Sequence, residues 1–267
     1  MIDKGKHSIL GVKIDAVDYE GAVERIAAAA KEGRAMTISA MAVHGVMTGV
    51  LDKEHKYRLN DFDLLCPDGM PVRWAMNFLH KAELTDRVYG PNLMLKVCER
   101  AAQDGLPIFL YGGTQQMIDL LKKNLLDKFP TLQFAGTRYS AFRQLSPEER
   151  DAAAAEINAS GAKLTFVGLG CPRQEIFAFE MKPLLKMPQL AVGAAFAFHA
   201  GLLPQAPPAW QKRGLEWLFR LIQEPKRLWR RYLYLNPLYL TLLAAQRLGL
   251  YGRGTDGQRP MNELRYG

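Results

Sequence analysis

The stretch PIFLYGGT at residues 107–114 decides the fold class of this 267-residue chain. Its first five residues predict a buried strand, because they form a short apolar run that a Gly-Gly turn ends. A helix is predicted directly after it, over 115–128. Strand–helix alternation of this kind recurs along the chain, with further strands predicted over 12–15, 35–39, 62–66, 132–135, 163–167 and 190–196. The alternation predicts an α/β fold, a Rossmann-like parallel sheet with helices on both faces.

The composition indicates a folded protein with a basic C-terminal part. Hydrophobic residues make up 48% of the chain and the formal net charge is +8. From Gly201 onward, 11 Lys and Arg residues face 4 Asp and Glu residues. Three helices are predicted after the Ala-Pro-Pro sequence at 206–208, and they span 215–223, 226–235 and 238–248. We therefore predict an α/β catalytic domain over 1–205, a basic helical appendage over 206–248 and a disordered tail over 249–267.

The three cysteines predict a reducing compartment. They are an odd number, lie far apart and match no metal-ligand spacing. The N-terminus leads into no long apolar run, which argues against a secretory signal, and no stretch of 18 apolar residues occurs. The cytoplasm is the expected location.

Asp68 is the candidate catalytic residue, within FDLLCPDGMPVRW at 62–74. It follows a predicted strand, at the sheet edge where open α/β sheets bind ligands. A carboxylate at that edge can act as a general base, or it can merely cap the next helix. These residues alone leave both roles open. The D-x-D pair Asp61 and Asp63, a metal-holding pattern in many sugar transferases, falls at the start of the strand, the wrong edge for this site.

Two predicted strands end in glycines, at 112–113 and 168–170. Glycine allows a ligand to approach the backbone, and the following helix N-terminus favours phosphate, although such turns are also common without a ligand. The second site, GLGCPRQE, lacks the third glycine of a nicotinamide-dinucleotide fingerprint. Arg87 suits a diphosphate or a salt bridge with Asp86. Gln174 could bond a sugar or base, and Glu175 is expected to complement the helix dipole.

The segment 210–239 predicts a membrane-facing surface. Between Lys212 and Arg231 it carries 7 Lys and Arg against 2 Asp and Glu. At helical spacing it also forms one apolar stripe, made of Trp217, Leu221, Leu228, Tyr232 and Leu235. Aromatic and basic residues together suit an anionic bilayer surface. A helical hairpin packed on the sheet is the plainer alternative, and nucleic acid is disfavoured because no binding module is present.

Together these motifs resemble the WecG/TagA/CpsF family of bacterial glycosyltransferases. The matching stretches are PDGMP (67–71), DRVYGP (86–91), FLYGG (109–113), VGLGCPRQE (167–175), VGAAF (192–196), APPAWQ (206–211), GLEWLFR (214–220) and EPKR (224–227). The resemblance runs from about residue 10 to 240. It implies an inverting, metal-independent transfer from a UDP-sugar to a polyprenyl-diphosphate-linked sugar, in cell-surface polysaccharide or exopolysaccharide biosynthesis.

The resemblance also implies roles for individual residues. Asp68 becomes the expected base, and the residues and the resemblance together predict substrate binding by Thr37, Ser39, Gly69, Arg87, Gly90, Pro91, Gly112, Gly113, Gly168, Gly170 and Gln174. Appendage arginines are expected to bind the lipid diphosphate and an anionic membrane at the inner face of the cell membrane; they are Arg213, Arg220, Arg227, Arg230 and Arg231. No metal or other cofactor and no nucleic acid partner is implied, and homo-oligomer formation is left open.

Two positions depart from the family's usual pattern. Ser39 stands where Asn is usual and Ala197 where Asp is usual, both near the expected donor pocket. A glucose or uronic acid donor therefore competes with the usual N-acetylmannosamine-type donor. A non-catalytic nucleotide-binding membrane adaptor and a nucleotide-dependent oxidoreductase are the alternative functions.

Overall fold

The structure, a computed structural model, describes residues 1–251, 254 and 256–267, with every side chain there except that of Arg231. Its strands are β1 (Asp3–Ile9), β2 (Val12–Val17), β3 (Met36–Met41), β4 (Leu64–Pro67), β5 (Ile108–Gly112), β6 (Phe134–Arg138), β7 (Leu164–Gly168) and β8 (Pro188–Ala191). Its helices are α1 (Tyr19–Glu32), α2 (Val43–Leu51), α3 (Lys53–Asn60), α4 (Met70–His80), α5 (Gly90–Asp104), α6 (Gln115–Lys128), α7 (Pro147–Ala159), α8 (Arg173–Met181), α9 (Ala195–His199), α10 (Pro208–Lys212), α11 (Glu216–Gln223) and α12 (Pro225–Arg247).

Six strands form one parallel sheet in the order β4-β3-β8-β7-β5-β6. Successive side chains of a strand point to opposite faces. Leu64 therefore packs in the cluster that contains residues of α1 and α5, whereas Leu65 packs with residues of α2 and α4. This arrangement confirms the predicted α/β class, with helices covering both faces of the sheet.

The strand order creates a crevice at the carboxyl edge of the sheet. From β3 the chain moves outward to β4 on one side, while β5 and β6 lie on the other, with β8 and β7 between them. Loops that leave β3 and β5 therefore diverge. Ligands bind at such switch points because the backbone is open there.

The N-terminal strands lie outside this sheet. β1 and β2 pair antiparallel in a sheet of their own, so the strand predicted at 12–15 is real but does not extend the parallel sheet. The buried carboxylate of Asp15 joins the two sheets, since it accepts the Leu65 N–H at 2.8 Å and pairs with Arg25 at 2.9 Å.

The strand predicted over 190–196 is wrong at its C-terminal end. β8 stops at Ala191, and Gly193 adopts a φ of +50° in the turn that leads to α9. The N–H groups of Val192 and Gly193 both donate to the Val167 carbonyl, which turns the chain away from the ladder. The apolar run continues because Ala195 and Phe196 are buried in α9.

The two helices predicted over 226–235 and 238–248 form the single helix α12, with Pro237 inside it. An internal proline costs about 3 kcal/mol through the lost hydrogen bond and a steric clash. Packing offsets this cost, because Tyr239 is fully buried and Leu235, Leu238, Leu242 and Leu243 pack against the cluster around α2 and β4.

The described part of the tail differs from the predicted disorder. The N–H groups of Leu264 and Arg265 donate to the Glu180 carboxylate at 2.7 and 2.8 Å. The Leu145 N–H donates to the Arg265 carbonyl at 2.7 Å, and Gly267 is buried against Leu145. Composition carries no sign of these contacts, because their partners lie far away in sequence.

Candidate active site

A cleft of about 570 Å³ opens at the carboxyl edge of the sheet. The ends of β3, β4, β7 and β8 form its floor, and α11 and α12 form part of its wall. The C-terminal helices thus meet the α/β body at the switch point. The predicted residues that line this cleft are Asp68, Gly69, Arg87, Gly90, Pro91, Gly113, Gly168, Gly170, Gln174, Arg220 and Arg227.

Asp68 lies on the loop between β4 and α4, and two backbone N–H groups hold its carboxylate. Oδ1 accepts the N–H of Gly69 at 2.6 Å, and Oδ2 accepts the N–H of Gly90 at 3.4 Å. Gly69 has a φ of +72°, a left-handed conformation that favours glycine. Burial raises the pKa of Asp68 to about 6; Arg87 opposes that rise and Glu216 adds to it. The carboxyl therefore titrates close to neutral pH, as a general base requires.

Arg87 connects Asp68 to the C-terminal helices. Its Nη1 lies 3.8 Å from Oδ1 of Asp68, and its Nη2 donates to Oε2 of Glu216 at 2.5 Å. Its guanidinium also lies over the ring of Tyr89, 4.3 Å from the centroid. Burial lowers the pKa of Arg87, but the two carboxylates outweigh burial and raise it overall. The cation is thus held beside the candidate base. Asp86, the predicted alternative ion-pair partner, instead accepts the backbone N–H of Arg87.

The glycines that end β5 and β7 differ in whether they line the cleft. Gly113, Gly168 and Gly170 line the cleft. Gly112 does not line it, contrary to the prediction that it binds substrate. A Cβ on Gly112 would lie 2.7 Å from the Gly168 backbone, so this glycine allows two neighbouring strands to approach each other.

Gln174 lies in the cleft with its amide fixed from both sides. Its Oε1 accepts the Gly170 N–H at 3.1 Å, and its Nε2 donates to Oε1 of Glu175 at 2.8 Å. The same Glu175 oxygen accepts the Ser39 hydroxyl at 2.9 Å. Ser39, which was predicted to bind substrate, is fully buried behind Glu175 and does not line the cleft. Burial raises the pKa of Glu175.

Thr37 lies at the opposite edge of the sheet from the cleft. It is the second residue of β3, about 13 Å along the strand from Met41 at the carboxyl end. Its N–H and hydroxyl donate to Oδ2 of Asp63 at 2.8 and 3.0 Å. Lys182 lies near the same carboxylate and that of Asp61. β3 continues beyond the predicted end at residue 39, and this leaves Thr37, which was predicted to bind the donor, away from the cleft.

The comparison with protein families agrees with this geometry. The model of the glycosyl transferase WecG/TagA/CpsF family matches residues 7–253, which is most of the chain. The chain belongs to this glycosyltransferase family. Its carboxyl-edge cleft is therefore a candidate sugar-transfer site.

The appendage arginines of this family member fall into two groups. Arg220 and Arg227 reach the cleft, the former 5.6 Å from the Phe198 ring and the latter ion-paired with Glu224. Arg213 and Arg230 are exposed. The side chain of Arg231, also predicted to bind lipid, is outside the described part of the chain. Within that part, none of the helices combines the length and the apolar run needed to cross a membrane.

The apolar stripe predicted in the appendage faces the protein. Leu228 is buried, Leu235 packs against the core, and the rings of Trp217 and Tyr232 lie 5.8 Å apart in the cleft wall. Of this stripe only Trp217 is exposed, at 37%, and the larger exposed apolar side chains of the appendage are Ile222, Trp229, Leu233, Tyr234, Leu240 and Leu248.

Sequence reasoning missed two carboxylates of this site. Glu216, at the start of α11, holds Arg87 across a sequence distance of 129 residues. An acidic residue at a helix start is typical of dipole stabilisation, so nothing local distinguishes it. Glu175 was expected to stabilise the dipole of α8, but its carboxylate is buried between Ser39 and Gln174.

Proposed function

We propose that this protein transfers a sugar, with inversion, from a UDP-sugar to a sugar linked through diphosphate to a polyprenol lipid, in bacterial cell-surface polysaccharide or exopolysaccharide biosynthesis. The observation that carries the proposal is the Asp68 carboxyl, whose pKa is raised to about 6, held beside Arg87 in the cleft of a glycosyltransferase-family member. Family membership supports sugar transfer. The UDP-sugar donor, the polyprenyl-diphosphate acceptor and the inversion are taken from what the sequence resemblance implies, and the proposed roles of Asp68 and Arg87 rest on the geometry of the site.

In the proposed reaction Asp68 is the base. It removes the proton from the acceptor hydroxyl while that oxygen attacks the anomeric carbon. The new glycosidic bond forms on one face of the sugar as the bond to the diphosphate breaks on the other, so a single displacement inverts the anomeric centre. The proton remains on Asp68, and UDP leaves with the bonding electron pair.

The negative charge that develops on UDP needs a cationic counterpart. Arg87 lies beside the base, and Arg220 and Arg227 enter the cleft from the C-terminal helices. Guanidinium groups bind diphosphate oxygens in a bidentate manner. We propose that these arginines and the amides of the glycine loops stabilise the leaving group without a metal ion.

The class of the donor sugar is proposed from the side chains at the floor of the cleft. Ala197 lines it, and Ser39 is turned away from it toward Glu175. A glucose or uronic acid donor is therefore a candidate beside the N-acetylmannosamine-type donor.

The test is UDP release from a panel of UDP-sugars, with a short-chain polyprenyl-diphosphate sugar as acceptor and with EDTA present. We expect release with one donor class only, and only when acceptor is present. Asp68→Asn should lower UDP release by about a hundredfold or more and keep UDP binding, measured by calorimetry. Asp119→Asn, at an exposed residue of α6, should match the wild type. UDP binding without release from any donor would favour the membrane adaptor instead. An absorbing cofactor in the purified protein would favour an oxidoreductase.

We further propose that the protein associates peripherally with an anionic membrane through its C-terminal helices. Exposed Arg213 and Arg230 lie among exposed aromatic and aliphatic side chains of α11 and α12. Each basic residue near an anionic surface contributes about 1 kcal/mol. Arg213→Glu/Arg230→Glu should therefore weaken sedimentation with phosphatidylglycerol vesicles at low salt. Lys122→Glu/Lys123→Glu, the same double charge reversal at two exposed residues of α6, is the matched control. Equal sedimentation of both variants would contradict the proposal.

A further inference from the structure

The outer face of α4 carries two large aromatic side chains without a cover. Trp74 is 51% exposed and Phe78, one turn later, is 60% exposed. Val72, Ala75 and Met76 bury the opposite face of the helix. Side chains four residues apart share one face of a helix, so the two rings form one apolar patch. α4 belongs to the α/β body, and its outer face has no part in the site described above.

Contacts with α12 show where this patch lies. The Tyr239 hydroxyl donates to the Pro71 carbonyl at 3.3 Å, and the Arg247 guanidinium lies 5.6 Å from the Phe78 ring. At 1.5 Å per residue, these contacts are about 11 Å apart on α4 and about 12 Å apart on α12. The second half of α12 therefore runs beside α4 in the same direction.

The apolar surface continues from α4 to the C-terminal helices. A Cβ on Gly214, just before α11, would lie 3.4 Å from Cη2 of Trp74. α12 itself exposes an apolar stripe at helical spacing on the side away from the core, formed by Leu233, Pro237, Leu240, Ala244 and Leu248. Two neighbouring helices thus each expose apolar side chains to solvent.

We propose that α4 is a second membrane-contacting element, and that Trp74 and Phe78 insert into the interface of an anionic bilayer beside α12. This inference rests on the membrane association proposed above and extends it to the α/β body. Tryptophan and phenylalanine next to basic residues are typical of interfacial helices. Arg247 and the exposed Lys81 lie at the C-terminal end of α4, where they can meet lipid headgroups.

The docking would orient the cleft toward its acceptor. α4 begins two residues after Asp68, and Met70 and Pro71 at its start line the cleft. A bilayer held against α4 therefore brings the diphosphate of a lipid-linked acceptor to the depth of the cleft entrance. The acceptor then needs to leave the headgroup region only slightly to reach the base.

Charge favours a bilayer over a second copy of the chain. Helix α12 carries five Lys and Arg residues, which are Lys226, Arg227, Arg230, Arg231 and Arg247, and no Asp or Glu. A two-fold interface places a patch against itself, so basic side chains of α12 would face one another. Anionic headgroups complement the same charge instead.

The first test is sedimentation with phosphatidylethanolamine vesicles that contain phosphatidylglycerol. Trp74→Ser/Phe78→Ser should partition about tenfold or more weakly than the wild type, because two half-exposed rings no longer leave water. Tyr139→Ser is the control, since Tyr139 is 60% exposed next to β6, at the far side of the sheet from β4. It should bind as the wild type. Equal binding by the double variant would overturn the inference.

The second test does not depend on how well the double variant folds. Trp210, Trp217 and Trp229 are replaced by Phe, so that the tryptophan fluorescence comes from Trp74 alone. Its emission should shift to shorter wavelength on vesicles and be quenched by brominated lipid. Unchanged emission from vesicle-bound protein would refute insertion. A wild-type dimer in sedimentation velocity, lost in Trp74→Ser/Phe78→Ser without vesicles, would assign the patch to a second copy.

These results separate the inference from the proposed function. If the wild type does not bind vesicles, the proposed membrane association fails and α4 docking fails with it. If the wild type and the double variant bind equally, only α4 docking fails. UDP release from a water-soluble acceptor should be unaffected by Trp74→Ser/Phe78→Ser, because neither ring lines the cleft. Loss of vesicle binding together with wild-type release in solution is therefore the expected combination.

Discussion

Replacing Asp68 with Asn should stabilise the protein at pH 8 while it strongly lowers turnover. The pKa of Asp68 is about 6 in the folded protein, against an ordinary value of 3.8. Each pKa unit is worth about 1.4 kcal/mol, so the buried carboxylate costs about 3 kcal/mol of folding free energy above pH 6. This figure already includes the attraction of Arg87, which is one of the contributions to the pKa. Asn keeps one oxygen, which can accept the Gly69 N–H in place of Oδ1, while its NH2 group replaces Oδ2 and loses only the long 3.4 Å bond from the Gly90 N–H.

The sign of the pH dependence follows from proton linkage. Between pH 3.8 and about 6 the folded protein retains a proton on Asp68 that the unfolded chain has lost, so this group favours folding less as pH rises. The advantage of Asp68→Asn is therefore largest above pH 6, falls to about half near pH 5 and disappears toward pH 3.8. At pH 8 we expect up to about 3 kcal/mol and a Tm higher by about 5 °C.

The assay is thermal unfolding, followed by circular dichroism at pH 8 and pH 5, with Asp119→Asn as control. Asp119 is exposed on α6, so its substitution should change Tm little at either pH. Turnover by Asp68→Asn should fall by about a hundredfold or more, which is typical of a lost general base. A lower Tm for Asp68→Asn at pH 8, or a gain equal at both pH values, would refute the reasoning.

Two further predictions concern the neighbours of Asp68 and the sheet beneath the cleft. Arg87→Met removes the cation that lowers the pKa of Asp68, so the acid limb of kcat/KM against pH should move to higher pH. Glu216→Gln removes a negative charge that raises the pKa of Asp68, so the acid limb should move to lower pH. Limbs that move in the same direction in both variants would contradict the assigned electrostatics. Gly168→Ala should destabilise the protein by about 1–3 kcal/mol in urea unfolding, because its Cβ would lie 2.4 Å from the fully buried Phe196 ring. Unchanged stability would show that this ring can move.

Much of the fold could be predicted because its signals are local. An apolar run that ends in glycine predicts a strand whatever surrounds it, and the helix boundaries predicted at 115–128 agree with α6. The capping box at Ser146 is likewise a contact between neighbours and is present at the start of α7. Asp68 could be chosen as a candidate because the end of a strand and a turn glycine are adjacent in sequence.

The errors arise where distant packing decides between local alternatives. Pro237 suggests a helix break, but tertiary burial of Tyr239 maintains one helix through it. The strand predicted over 35–39 ends two residues too early. Pairing with β4 and β8 carries β3 on to Met41 and leaves Thr37 at the other edge.

The sequence by itself determined the parallel α/β fold, the sheet edge that carries Asp68 and the basic character of the C-terminal helices. Each of these follows from residue type and short-range spacing. The tertiary structure alone decided that Glu216 holds Arg87, that Glu175 accepts the Ser39 hydroxyl and that α4 lies beside α12 with its aromatic face exposed. These contacts depend on how the chain closes on itself over more than a hundred residues, and hydropathy, charge and spacing contain no information on that closure.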